Sequence, residues 1–73
     1  MENNGTLRNR IVVLRAEKRW SQQELADRVG VSRQTIASLE ASRYNPSLKL
    51  AYEIAHVFGR TIDEVFEYVR EEQ

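Results

Sequence analysis

Residues 22–40 of this 73-residue chain, QQELADRVGVSRQTIASLE, predict two short helices joined by a tight turn. Gly30 falls where the chain leaves the first helix, a position that often needs a positive φ and therefore favours glycine. Ser32 then offers a side-chain oxygen to the free N–H groups of the second helix, and the small Ala26 suits a close approach of two helix backbones. The apolar residues recur at helical spacing and are predicted to point inward: Leu25, Val29, Val31, Ile36 and Leu39.

The second helix of this pair keeps a short polar face outward, formed by Arg33, Gln34, Ala37 and Ser38. A helix of this size fits the major groove of DNA. Arginine can donate two hydrogen bonds to guanine, and glutamine can pair with the edge of adenine. The alternative is a solvated surface helix with no ligand.

Three further helices are predicted around the pair. Thr6 caps helix one, which ends near Arg19 and buries Leu7, Ile11 and Leu14, with Val12 and Val13 widening its apolar surface. Ser21 and Glu24 form a capping box at the start of helix two.

Pro46 and Ser47 open helix four, which ends at Gly59. Its inward stripe is Leu48, Ala51, Ile54, Ala55 and Phe58. Thr61 and Glu64 open helix five, whose inward residues are Ile62, Val65, Phe66 and Val69. Because no strand pattern is visible, a compact, all-α, five-helix domain over residues 6–69 is predicted, with disorder at residues 1–5 and a frayed acidic tail at 70–73.

Composition excludes several classes of protein. The chain has no cysteine and a single histidine, so it offers neither a disulfide nor a clustered metal site, and we expect no cofactor. His56 falls on the outer face of helix four and is expected to be a surface residue. No nucleophile has a base beside it, so an enzyme is not expected. No apolar run reaches the roughly 18 residues of a membrane span, and no signal peptide is visible, so a cytoplasmic location without membrane contact is expected.

Charge is divided unevenly along the chain although its net value is zero. Residues 1–49 carry nine Lys or Arg against five Asp or Glu, whereas residues 50–73 carry two against six. The positive excess therefore coincides with the two-helix unit, as a DNA-binding surface requires. A solvated, salt-bridged surface is the plainer explanation of such a split.

The stretch SQQELADRVGVSRQTIASLEASRYNPSLKLAYEIAHVFG, residues 21–59, resembles the helix-turn-helix domain of the phage repressor and Cro (Cro/C1-type, or xenobiotic-response-element) family. The resemblance extends over residues 7–66. It joins the Ser-Gln-x-Glu-Leu-Ala opening, the glycine of the turn, the serine before helix three, the glutamate that ends it, and Asn-Pro-Ser-Leu before helix four. It implies a lambda-repressor-like fold and a short, stand-alone DNA-binding transcriptional regulator, more often a repressor than an activator.

The resemblance also implies roles for single residues. Residues matching those that contact base edges are Arg33, Gln34 and Ser38, with Thr35 the next candidate. Residues matching phosphate contacts are Gln22, Ser32, Arg43, Tyr44 and Asn45, and Gln22 also matches a residue that braces the base-contacting side chain. Arg15 and Glu40 match a structural ion pair. Lys49 is taken as an ordinary surface cation. The chain departs from the family pattern in three places. Arg19 stands where glycine is frequent, the loop Ala41-Ser42-Arg43 replaces Asn-Gly-Lys, and Trp20 is bulkier than the usual leucine.

Apolar residues near the end of the chain, Phe66, Tyr68 and Val69, predict a surface for self-association. Paired recognition helices of a homodimer contact a palindromic operator on double-stranded DNA. An alternative from another class is a protein-interaction module, such as an antitoxin or coactivator, that binds a protein partner through the acidic helix five.

Overall fold

The computed structural model describes residues 5–70, which form five α-helices and a two-stranded antiparallel sheet. In chain order the elements are β1 Gly5–Asn9, α1 Ile11–Lys18, α2 Gln22–Val29, α3 Arg33–Glu40, α4 Leu48–Phe58, α5 Ile62–Val65 and β2 Phe66–Arg70. The predicted disorder of residues 1–4 and fraying of residues 71–73 lie outside the described residues. Gly5 and Arg70, for which disorder and fraying were also predicted, are paired with each other in the sheet.

The sheet corrects the all-α prediction. β1 and β2 pair in the register Gly5↔Arg70 to Asn9↔Phe66, so the chain is mostly helical rather than all-α. Helix one therefore begins at Ile11 rather than after Thr6, and helix five ends at Val65 rather than continuing through Val69. Each strand obtains its hydrogen-bonding partner from the opposite end of the chain, and a local hydrophobic period cannot reveal such a partner.

Serine side chains begin three of the helices as the sequence predicts. The hydroxyl oxygens of Ser21, Ser32 and Ser47 accept the N–H groups of Glu24, Thr35 and Leu50, at 3.0, 3.1 and 3.1 Å respectively. The Glu24 carboxylate accepts the Ser21 N–H at 2.7 Å, which completes a capping box. These caps set where each helix begins, so they fix the direction in which α3 leaves the turn.

Left-handed residues end four helices: Arg19 after α1, Gly30 after α2, Ser42 after α3 and Gly59 after α4, with φ between 57° and 76°. After α3 the Ser42 N–H donates to the Leu39 carbonyl and the Arg43 N–H to the Ser38 carbonyl, both at 2.9 Å, the pattern of a Schellman motif. Arg19 and Ser42 are the two positions where the chain lacks the family's glycine. The turns keep the glycine-like conformation without the glycine.

The core lies where α1, α2, α3 and α4 meet, and Val65 of α5 closes it. Its most deeply buried side chains are Ile11, Leu14, Leu25, Ile36, Leu39, Ile54 and Val65. Trp20 packs at the edge of the core, stacked on Phe58 at 5.5 Å between ring centroids, with the Arg28 guanidinium 4.1 Å from its centroid.

Leu48, predicted for an inward stripe, is exposed instead, and so are the two valines predicted to widen the apolar surface of helix one. Leu48 is 70% exposed, and Val12 and Val13 are about half exposed. Leu48 is the first residue of α4, and the inward stripe is buried only from Ala51 onward. Val12 and Val13 flank the buried stripe of Ile11 and Leu14 on a helix only eight residues long.

Candidate nucleic-acid interface

The turn between α2 and α3 holds the two helices in fixed contact. Ala26 and Ile36 are completely buried. The Val31 N–H donates to the Ala26 carbonyl at 3.0 Å, which ends α2, and Ser32 immediately caps α3. Because the apolar faces of both helices are buried, the polar face of α3 is directed outward.

That outer face carries the residues predicted to contact base edges. Arg33 and Gln34 are exposed, whereas Thr35 and Ser38 are half-buried. An open, mostly polar groove runs along it, lined by Arg33, Gln34, Ala37, Ser38, Ala41 and Arg43. Long donor side chains at the edge of such a groove have the reach and hydrogen-bonding groups needed for base edges.

Gln22 connects the start of α2 to the start of α3. Its amide oxygen accepts a long hydrogen bond from Arg33 Nη1 at 3.4 Å, and its amide nitrogen donates to Glu40 Oε1 at 2.8 Å. The second bond fixes the orientation of the Gln22 amide, so that its oxygen faces Arg33. The amide thus restrains the guanidinium without covering it, and one N–H of Gln22 stays available for another acceptor.

Glu40 is the centre of this network. Arg15 Nε and Nη2 donate to its two carboxylate oxygens at 2.7 and 3.2 Å. Arg15 Nη1 also donates to the Trp20 carbonyl at 2.9 Å. The side chains of Arg15 and Glu40 are only 18% and 8% exposed, so the pair is largely removed from solvent. Arg15 and Glu40, for which the resemblance implies an ion pair, therefore connect α1 to α3 and to the segment before α2.

Ser32 and Thr35 are engaged with each other at the start of α3. The Ser32 hydroxyl accepts the Thr35 N–H and lies 2.9 Å from the Thr35 hydroxyl. Both hydroxyls sit at a helix N-terminus, where N–H groups and the helix dipole favour an anion. The pair thus combines a capping role with a position suited to phosphate.

Arg43, Tyr44 and Asn45 follow α3 and are all exposed. Arg43 also lines the polar groove, so its side chain lies beside the face predicted to contact bases. Lys49 lies on a different surface, beside a groove between α4 and α5 that His56 also lines. The structure brings Arg43 to the candidate interface and leaves Lys49 away from it.

Phe66, Tyr68 and Val69 lie in β2 rather than on a helix. Phe66 packs against the core and Val69 is half-buried, whereas Tyr68 is 54% exposed. A Cβ added to Gly5 would overlap the ring of Tyr68, so this ring lies against the Gly5 backbone. The surface predicted for self-association is therefore a strand surface, and Tyr68 is its most exposed member.

Sequence reasoning missed Asn9. Its side-chain amide donates to the Leu39 carbonyl at 2.8 Å, so the last residue of β1 contacts the end of α3. An asparagine before a helix indicates a cap, but nothing in the pattern of the sequence indicates a bond to a residue thirty positions away.

Within residues 5–70, no helix is long and apolar enough to cross a membrane.

The chain belongs to the helix-turn-helix family, whose model matches residues 13–65. This is a family of transcription regulators rather than of enzymes, and the resemblance inferred from residues 21–59 is confirmed. An uncharacterized helix-turn-helix-type transcriptional regulator of Archaeoglobus fulgidus is 53% identical over 66 residues, 90% of this chain and 93% of that protein.

A viral relative and a crystal structure extend the comparison. The immunity repressor protein of Bacillus phage phi105 is 33% identical over 60 residues, 82% of this chain and 42% of the repressor. The crystal structure of a provisionally assigned DNA-binding protein from Bacteroides fragilis superposes with a TM-score of 0.76 at 27% identity, covering 85% of this chain and all of that one.

Proposed function

We propose that this protein is a sequence-specific regulator that binds double-stranded DNA, contacts base edges with α3, and represses transcription as a homodimer on a palindromic operator. The observation that carries the proposal is the hydrogen-bonded series Arg15–Glu40–Gln22–Arg33, which holds an exposed arginine at the outer face of α3. A side chain held before binding loses less conformational freedom on binding.

In the proposed complex α3 lies in the major groove, and Arg33 and Gln34 contact base edges. Arg33 suits the O6 and N7 atoms of guanine, and Gln34 suits the N6 and N7 atoms of adenine. Ser38 also contacts base edges, and Thr35 is the next candidate for such a contact. Gln22, Ser32 and the loop residues Arg43, Tyr44 and Asn45 contact phosphates, which fixes the register without sequence information.

Repression by occupancy follows from this geometry if the operator overlaps a promoter. The similarity to a phage immunity repressor supports this direction of regulation. Dimerisation is supported by Tyr68 of β2, a large and mostly exposed side chain that lies beside the half-buried Phe66 and Val69. Two copies related by a two-fold axis would present two α3 helices to two half-sites.

The proposal is tested by selecting duplexes from a random pool with the purified protein and sequencing the enriched DNA. Enrichment of an inverted repeat whose half-sites lie about one helical turn apart supports the full proposal. Enrichment of a single, unrepeated site would support a sequence-specific regulator but would contradict the homodimer. An unenriched pool would contradict DNA recognition and favour the protein-interaction alternative. Sedimentation of the protein with the selected duplex gives the number of copies bound.

A further inference from the structure

Asn9 joins three parts of the molecule with one side chain. It is the last residue of β1, and its amide oxygen accepts the Ile11 N–H at 3.1 Å, which serves the start of α1. Its amide nitrogen donates to the Leu39 carbonyl in the last turn of α3 at 2.8 Å. Asn9 is half-buried, so water competes only in part for the groups that make these two bonds.

The Leu39 carbonyl also accepts the Ser42 N–H at 2.9 Å. A carbonyl oxygen has two lone pairs, and here two donors use them. One donor belongs to the turn that ends α3, and the other belongs to the sheet. The next bond of the same turn joins the Arg43 N–H to the Ser38 carbonyl. Ser38 and Arg43 both line the polar groove, so their placement depends on the turn.

We infer that Asn9 is a positioning residue for DNA recognition: it fixes the C-terminal turn of α3, and with it Ser38 and Arg43, relative to the sheet and α1. The inference deepens the proposed function and rests on it. Glu40 ties the same turn to α1 through Arg15, and Asn9 adds an attachment to the sheet. Arg33 is braced through Gln22 and Glu40, and Glu40 keeps its own attachment to α1 through Arg15, so a loss of Asn9 affects the two ends of α3 unequally.

The two bonds of Asn9 can be separated by substitution. Asn9→Asp retains an acceptor for the Ile11 N–H but removes the donor to Leu39 and sets a carboxylate against a carbonyl. Asn9→Ala removes both bonds. Arg8→Gln is the matched control for charge, because it lowers the net charge by the same one unit at the neighbouring, exposed strand position.

The first measurement is amide hydrogen exchange of the free protein by NMR. In Asn9→Asp the Ser42 and Arg43 amides, which close the turn after α3, should exchange faster than in the wild type. The exchange rate of the Leu25 amide, which donates to the Ser21 carbonyl at the start of α2, should be unchanged. Arg8→Gln should match the wild type. Unchanged exchange of Ser42 and Arg43 in Asn9→Asp would overturn the inference, whatever the protein binds.

The second measurement is affinity for the selected duplex and for duplexes with one base pair changed at a time. Asn9→Asp should lower discrimination at the pairs that Ser38→Ala also affects, by roughly 2- to 30-fold. Discrimination at the pairs affected by Arg33→Ala should be retained. Uniform weakening without a loss of discrimination at the Ser38 pairs, or the same loss of discrimination with Arg8→Gln, would overturn the positioning role. If the wild type selects no duplex, the proposed function fails, while the exchange measurement still decides whether Asn9 holds the turn.

Discussion

Arg15 and Glu40 form a two-point ion pair between α1 and the last residue of α3, with N–O distances of 2.7 and 3.2 Å. The same carboxylate accepts the amide of Gln22, the first residue of α2. One side chain thus fixes three helices relative to one another. Since Gln22 in turn contacts Arg33, the packing of the domain and the placement of Arg33, the arginine proposed to contact DNA, depend on the same group.

Glu40→Ala should lower the free energy of unfolding by about 3 kcal/mol, because it leaves the largely buried Arg15 guanidinium without its partner. The double variant Arg15→Met/Glu40→Leu should recover most of that loss, since apolar residues of similar size can replace a buried pair. Urea denaturation measures both changes.

The control for this prediction is the surface ion pair between Arg60 and Glu17, at 3.1 Å. Both partners are at least a third exposed, so Glu17→Ala should cost under about 1 kcal/mol. Equal losses for Glu40→Ala and Glu17→Ala would show that burial of the Arg15–Glu40 pair has no energetic consequence.

Arg19→Gly should stabilise the protein by up to about 1 kcal/mol. Arg19 has a φ of 60°, which costs a residue with a Cβ about 1–2 kcal/mol, and glycine's greater unfolded-state entropy offsets part of the gain. Thermal unfolding measures the change. Gly30→Ala is the opposite control: space for a Cβ is open there, but φ is 76°, so stability should fall. A loss of stability in Arg19→Gly would contradict the claim that the positive φ of Arg19 strains the backbone.

Acid should weaken the start of α5. The Thr61 backbone N–H donates to Glu64 at 2.9 Å, and this bond lowers the pKa of Glu64 below the usual value of about 4.3. A carboxylate whose pKa is lower in the folded state adds stability above its unfolded pKa and loses it as the pH falls through the folded value. The stability difference between wild type and Glu64→Gln should therefore shrink below about pH 4. Melting curves from pH 7 to pH 2.5 would contradict this if the difference stayed constant.

Arg43→Gln should weaken binding to all duplexes alike and reduce the slope of log K against log salt by about 1, as expected for one lost phosphate contact. Lys49→Gln removes the same charge from a surface away from the polar groove and should leave the slope within error of the wild type. Anisotropy titrations across a salt series measure both. Equal slopes for the two variants would remove Arg43 from the set of phosphate contacts.

The elements that the sequence predicted correctly depend on local signals. Each capping hydroxyl accepts the N–H group three residues ahead, as seen at Ser21, Ser32 and Ser47. Their spacing along the chain is therefore sufficient to predict these caps. The buried stripes of α2 and α3 follow from the helical period for the same reason.

The features that sequence analysis missed depend on distant partners. A helical period is satisfied by Ile62, Val65, Phe66 and Val69. Residues 66–70 nevertheless form a strand, because their backbone pairs with β1. The bond from Asn9 to Leu39 spans thirty positions and has no periodic signal. The turn after α3 takes a glycine-like φ at Ser42, where the residue type gives no indication of it. The resemblance, rather than the pattern of the residues, indicated that Arg15 and Glu40 interact.

The most direct test of the central claim is an anisotropy titration of the selected duplex with the wild type, Arg33→Ala/Gln34→Ala and His56→Ala, an exposed α4 variant. If α3 contacts base edges, the double variant should bind at least about 30-fold more weakly, from 1–3 kcal/mol for each lost contact. Its melting temperature and its binding to a scrambled duplex should change little, and His56→Ala should bind like the wild type. Undiminished preference of the double variant for the selected duplex would contradict recognition by α3.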